Sequence, residues 1–358
     1  MQKNIAEQFD IAGEFLSAVP YGEGHINATF KVLFREEGEA KAYLLQKINH
    51  NVFKDVDGLM RNIKLVTSHI KEKISNPLEG TLTVIPTKDG KLYYESHEHE
   101  FWRMYLFIEN SIAYQKVDNA DVFYKTAVAF GGFANQLMDF DASLLSETIP
   151  DFHNTKSRLD DFRQAVKNDK CNRLAEVRKE VDFILSREAD CAVFMDYLDN
   201  GKLPLRVTHN DTKLNNVLFH DNTGECICII DLDTVMPGLA LSDFGDAIRF
   251  GASSAAEDET DLSKVFMRLD LFEMYTKGYL SQAKDSLTQL EKELLPFSAK
   301  LLTLECGMRF LADYLNGDTY FKIHREKHNL DRARTQLKLV ADMEDKMEQM
   351  VEVVKKYS

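Results

Sequence analysis

The sequence predicts an α+β fold in two lobes, a small, mainly antiparallel-sheet lobe over residues 1–108 and a larger helical lobe over residues 109–358. Three observations carry that prediction. The chain has 358 residues, too many for one small core and suited to two. Its apolar residues alternate with period two up to about Asn110 and recur with a period near 3.6 beyond it. No internal repeat, low-complexity tract or long linker divides the two regimes, so the lobes are expected to join tightly near Ile108 to Asn110.

An amphipathic pattern over residues 4–17 opens the chain as a helix. "ATFKVLF" and "AYLLQKI" alternate on either side of the polar "REEGEAK" and form a hairpin. A helix follows from about Asp55 to Lys73. A second hairpin, "TLTVIPTKDGKLYYE", turns on Asp89-Gly90, and "EFWRMYLFIE" supplies a further strand. Beyond Asn110, helices are expected over 119–139, 156–168, 172–198, 261–283, 288–315 and 327–356. Short strands at 205–208, 216–220 and 226–232 interrupt them.

Composition narrows the class. With 44% hydrophobic, 10% aromatic and 28% charged residues, the chain is that of a globular protein. It has no apolar run near the roughly 18 residues of a membrane span. The first residues carry acids where a signal peptide carries bases, so a cytoplasmic location is expected. Five cysteines without a CxxC pair suit core positions better than a disulfide framework or a zinc cage. The formal charge of −14 repels nucleic acid, although a local metal can still bring in a phosphorylated ligand. A monomer is expected; the Met and Val stripe of the last helix is the place where a dimer seam would lie.

The chemistry concentrates in "VTHNDTKLNNVLFHDNTGECICIIDLDTVMPG". Asp211 opens a polar loop after an apolar strand, and Asn216 closes it five residues later. Asp231 and Asp233 follow the apolar run "CICII", where alternation places both on the side of Ile229. Carboxylates at the end of a buried strand need a cation or ordered donors. Mg²⁺, held by one or two protein oxygens together with substrate phosphates, suits Asn216 and Asp231. Asp211 is then left to take a proton, and the set is that of phosphoryl transfer from ATP.

"H-N-D-x-x-x-x-N" followed by "I-D-L-D" resembles the catalytic and metal motifs of the aminoglycoside phosphotransferase and choline kinase group, which has a protein-kinase-like fold. The resemblance implies that Asp211 is the base, that Asn216 and Asp231 bind metal, and that Asp233 adds a second-metal or supporting contact. The literal "DFG" at Asp243 lies 32 residues past Asp211, too far for the metal motif. It opens a helix, where an acid acts as a cap, and in the resembling group an Asp near this place braces the catalytic loop.

Gly22 and Gly24 in "YGEGHINATFKV" form a turn able to bring backbone N–H groups to phosphates, and a plain hairpin turn fits the same residues. Lys47 occupies the strand position from which a kinase lysine reaches phosphates; a solvent-facing lysine on an edge strand is the alternative. Asn62 stands where the helical glutamate partner of that lysine is expected. The strand ending at Tyr105 to Phe107 is expected to offer its backbone to adenine. "HEHE" at 97–100 places two histidines on one strand face without making a metal site.

The longer set "GHIN", "LLQKIN", "TIPDFHNTKSRL", "IDLDTVMPGL", "DFGDAIR" and "MRFLADYLNGDTYF" is similar to the kinases of that group that phosphorylate the anomeric hydroxyl of N-acetylhexosamines. That similarity spans about residues 20–340. It implies a sugar substrate held by Asp211, His25, Arg309 and Tyr320. Turn, helix-surface and loop positions are the structural alternatives for the last three. The rival functions are a kinase for an aminoglycoside, choline or ethanolamine, and a non-catalytic nucleotide-binding protein.

Overall fold

The computed structural model describes residues 1–22, 26–117 and 119–358. In chain order the elements are α1 (Gln2–Ala6), β1 (Glu14–Pro20), β2 (Ala28–Glu36), β3 (Glu39–Ile48), α2 (Val56–Lys71), β4 (Val84–Ile85), β5 (Tyr94–Glu95), β6 (Phe101–Leu106), β7 (Ser111–Ile112) and α3 (Ala120–Gln136). They continue with α4 (Thr155–Asn168), α5 (Arg178–Leu185), α6 (Glu188–Asp199), β8 (Arg206–Thr208), β9 (Val217–His220), β10 (Cys226–Ile229) and β11 (Met236–Gly238). Last come α7 (Ala240–Gly251), α8 (Leu269–Ala283), α9 (Gln289–Asn316), α10 (His328–Asp345) and α11 (Met347–Tyr357).

Two compact units result. The first comprises Met1–Ala113, Asp139–Pro150 and Asn216–Pro237; the second comprises Tyr114–Met138, Asp151–Asn215 and Gly238–Ser358. A single boundary after residue 108 therefore does not describe the division. Strand pairing explains the difference, because β7 pairs antiparallel with β9, and this ties the β9–β10 hairpin to the sheet-bearing unit.

The first unit is built on a sheet in the order β1-β2-β3-β6-β4, with β5 also paired to β6. Its two-residue turn at Glu37 and Gly38 has positive φ at both positions and closes the predicted hairpin. The helix expected over 4–17 ends at Ala6, and Glu14–Pro20 pairs with β2 instead. Gly13 permits this: a Cβ there would stand 2.7 Å from the Arg35 carbonyl oxygen. Long-range pairing has overridden a helical period.

The Asp89-Gly90 turn forms, with the Thr87 N–H donated to the Lys91 carbonyl at 2.9 Å, but the strands on either side, β4 and β5, add to β6 rather than to each other. Helix α2 starts on Asp55, whose side chain accepts the Gly58 N–H at 2.9 Å. One face of the sheet closes over Ile5, Phe9, Val32, Phe34, Tyr43, Leu45, Trp102 and Met104.

In the second unit, α9 is the spine. Its residues Leu295, Ala299, Leu301 and Leu302 enter one apolar core, and Leu304, Met308, Leu311 and Leu315 enter another. Thr288 and Glu291 form a capping box at its start. Glu291 also accepts Nε–H and Nη2–H of Arg206 at 2.6 and 2.8 Å, which fixes β8 at the entrance to the 209–216 loop. The helix expected over 172–198 is broken between α5 and α6, and the last helix is broken at Lys346. Among the described residues no helix is long and apolar enough to cross a membrane, and all five cysteines are free thiols.

Candidate active site

The second unit holds Asp211 on a loop braced from below. His209 and Asn210 donate their backbone N–H groups to the two carboxylate oxygens of Asp243, at 2.8 and 2.7 Å. Thr212 Oγ1 donates to the Asp243 carbonyl at 2.6 Å. Asp243 lies in the first turn of α7 and is buried, so its role is that of a brace, as its position in "SDFGD" suggests. Burial raises its carboxyl pKa above the ordinary range, against the pull of His209 and the two N–H groups. The His209 imidazole is buried against the Phe130 and Phe133 rings of α3, and Asn210 takes a positive φ of 64°. The turn thus held leaves Asp211 partly exposed.

Lys213 Nζ stands 2.5 Å from Asp211 Oδ1. Burial works against that ammonium, but Asp211 and Asp246 together raise its pKa above the usual value. Asp246 is in turn paired with Arg249 at 2.8 Å. Neither Lys213 nor Asp246 stood out in the sequence. Lys213 lies inside the motif at a position the spacing leaves unspecified, and Asp246 pairs with it only through the fold.

A second support joins residues distant in sequence. His153, in "PDFHNT", is half-buried with Nδ1 2.9 Å from Glu305 Oε1 and Nε2 3.3 Å from the Asn210 carbonyl. Thr155 Oγ1 donates to Glu305 Oε2 at 2.6 Å. Burial opposes the imidazolium, yet Glu305 and the more distant Asp246 raise the His153 pKa above its ordinary value, with Arg309 opposing. Burial equally opposes the Glu305 carboxylate, which His153, Arg309 and Thr155 hold below its ordinary pKa.

The signs fix a pH window. The His153 contribution to stability is complete below its unfolded pKa of about 6.5 and is lost as pH rises through the raised folded value. The Glu305 contribution is present above its unfolded pKa of about 4.3 and is lost as pH falls through the lowered one. Thermal melts from about pH 5.5 to 8.5 are therefore expected to show stability declining toward the alkaline end, and Glu305→Gln to flatten that slope.

Arg309 and Tyr320 come together in this unit. The guanidinium lies 5.9 Å from the Tyr320 ring, 5.8 Å from Phe152 and 5.6 Å from Phe321. Gly317, at φ +100°, ends α9 in the left-handed conformation and turns the chain. Asp313 then accepts the backbone N–H groups of Thr319, Tyr320 and Phe321, each at 2.9 Å, so the exposed Tyr320 stands on an ordered loop. His25 lies outside the described residues.

The first unit carries the candidate metal and nucleotide residues. Register places Val217 opposite Ile229, and Ile230 N–H donates to the Asn216 carbonyl at 2.9 Å. Asn216 is thereby set one residue from Asp231. The strand stops at Ile229, however, and Asp231 has φ +58° before a 3-10 turn over Leu232–Thr234. Alternation therefore does not place Asp231 and Asp233 on one side: Asp231 is exposed and Asp233 is buried. Both Asp233 oxygens have partners, Oδ1 with Arg103 Nη1 and Oδ2 with Asn27 Nδ2 at 2.6 Å.

Among the described residues no three His, Cys, Asp or Glu side chains cluster as a metal cage. An amide from Asn216 and a carboxylate from Asp231 are the donor types of a hard cation that takes its remaining oxygens from phosphates and water.

Gly22 has φ +75°, as a phosphate-approaching turn or a hairpin turn both require, and Gly24 lies outside the described residues. Tyr105 is buried within β6. The N–H groups of Leu106 and Phe107 are donated to the carbonyls of Thr83 and Ala42. Sheet pairing has used these two N–H groups, part of the backbone expected to meet adenine. The Phe107 ring instead stands 5.3 Å from that of Tyr21, next to Gly22. Lys47 has an acidic partner after all, Glu100 ahead of β6. Asn62, in place of a helical glutamate, binds the carbonyls of Ser146 at 2.7 Å and Val235 at 3.0 Å. "HEHE" is a turn rather than a strand, with His99 exposed at φ +55°.

The APH family, described as the phosphotransferase enzyme family, matches residues 18–274. Among solved structures, a microcompartment-associated aminopropanol kinase superposes with a TM-score of 0.60 at 14% identity, over 98% of this chain and 97% of its own. A choline kinase from Cryptosporidium parvum gives 0.56 at 14% identity, over 95% and 92%. A spectinomycin phosphotransferase in complex with ADP and spectinomycin gives 0.56 at 14% identity, over 97% and 98%. At these identities the superpositions establish the protein-kinase-like fold.

Proposed function

The chain belongs to the phosphotransferase enzyme family, and we propose that it transfers the γ-phosphoryl group of ATP to the C1 hydroxyl of N-acetylglucosamine or N-acetylgalactosamine. The observation that carries the phosphotransfer is the braced loop: Asp243 fixes the two N–H groups that precede Asp211 and leaves Asp211 partly exposed. Asp211 orients the acceptor hydroxyl and takes its proton. Lys213 holds one oxygen of that carboxylate and so limits its rotation. The Asn216 amide oxygen and the Asp231 carboxylate would hold Mg²⁺, which would offset the charge of the nucleotide's phosphates.

The acceptor is inferred from Arg309 and its rings. A guanidinium among Phe152, Tyr320 and Phe321 offers fixed donors to ring hydroxyls or an acetamido carbonyl, beside aromatic faces that suit the apolar side of a sugar. The same positive charge repels a cationic acceptor such as choline, an amino alcohol or an aminoglycoside. A transfer screen with ATP labelled in the γ-phosphate, over both N-acetylhexosamines, choline, aminopropanol and kanamycin, tests this. Label is expected in the two sugars alone. Label in a cationic acceptor and in neither sugar overturns the substrate, and nucleotide binding without transfer to any acceptor overturns the enzyme.

A further inference from the structure

We propose that Arg103, acting through Asp233 and Asn27, is the cation that organises the nucleotide face of the N-terminal sheet, and that Lys47 takes no part in nucleotide binding. The inference rests on the kinase reading above. Strand geometry separates the two cations. In the pairing of β3 with β6, Gln46 lies opposite Arg103 and Lys47 opposite Trp102. Neighbouring residues on a strand point to opposite faces. Trp102 belongs to the core with Tyr43 and Leu45, so Lys47 rises on that face, where it pairs with Glu100.

Gln46 and Arg103 share the other face. Arg103, only 1% exposed, donates Nε–H to Gln46 Oε1 at 3.0 Å and pairs with Asp233. Gln46 reaches back to Thr29 Oγ1 at 3.0 Å. The second Asp233 oxygen takes the Asn27 amide, whose own oxygen accepts the Asn49 N–H at 3.0 Å. One continuous set of bonds therefore joins the start of β2 to the residue two beyond Asp231. Asp233 is the hub of that set rather than a metal ligand. Asn27, standing where a third glycine might be expected, supplies the link. Arg103 and Asn27 are thus positioning residues: they hold the start of β2 to the turn that carries Asp231.

Titration calorimetry of the full chain with Mg²⁺ and a non-hydrolysable ATP analogue tests this without reference to any acceptor. Lys47→Met is expected to bind within about threefold of the unmodified protein, as loss of a partly exposed ion pair implies. Asn27→Ala and Arg103→Lys are expected to weaken binding by about tenfold or more and to need more Mg²⁺ for half-saturation, because each leaves part of a buried carboxylate unmet. Weakening by about tenfold in Lys47→Met, or binding by Asn27→Ala equal to the unmodified protein, overturns the inference. If Arg103→Lys does not fold, the other two variants still decide it. Failure of the unmodified protein to bind nucleotide overturns the kinase reading itself, and this inference with it.

Discussion

Replacing Asp211 with Asn is expected to lower kcat by about 10²- to 10⁴-fold, the range that general-base assistance supplies in enzymes. The substitution keeps the shape of the side chain but cannot accept the acceptor's proton. Because Asp243 holds the neighbouring N–H groups independently of Asp211, the loop should keep its course. KM for ATP should therefore stay close to the unmodified value, and the loss should fall on turnover. The partner of Lys213 is lost at the same time, so melting should be followed alongside the steady-state rates. A folded Asp211→Asn protein with turnover near the unmodified level would remove Asp211 from the chemistry.

Asp243→Ala is expected to produce the largest loss of stability among single substitutions near the loop. It strips the acceptor from two buried backbone N–H groups, each of which then costs about 1–3 kcal/mol. Set against a typical total of about 5–15 kcal/mol, that is enough to shift a urea midpoint plainly. Asp243→Asn should fall between, since its amide oxygen can accept one of the two bonds and its NH₂ group can accept neither. Denaturation curves in the order unmodified, Asn, Ala check the assignment. An alanine variant as stable as the unmodified protein would mean that the brace does not hold the loop.

Much of this site could be read from local sequence. The Asp211 to Asn216 spacing lies within one short loop, the Asp55 cap sits three residues before the N–H it binds, and the capping box at Thr288 opens the long helix. These are short-range patterns, and the chain obeys them locally. Features set by distant partners were lost. Residues 14–17 look helical until β2 is present to pair with them. Asp231 leaves the alternating pattern because its backbone turns left-handed, which side-chain spacing does not register. Lys47 and Gln46 are adjacent and equally polar, so only the register with β6 decides which of them faces Arg103. His153 and Glu305 lie 152 residues apart, and nothing in either stretch announces the other.

Phosphorus NMR of the product formed from N-acetylglucosamine and Mg²⁺–ATP decides whether the proposed transfer goes to the anomeric oxygen of a reducing sugar. A single new phosphomonoester whose phosphorus couples to the anomeric proton is expected. A phosphorus coupled instead to protons at another ring position, or no new ester at all from a protein that binds nucleotide, would contradict it.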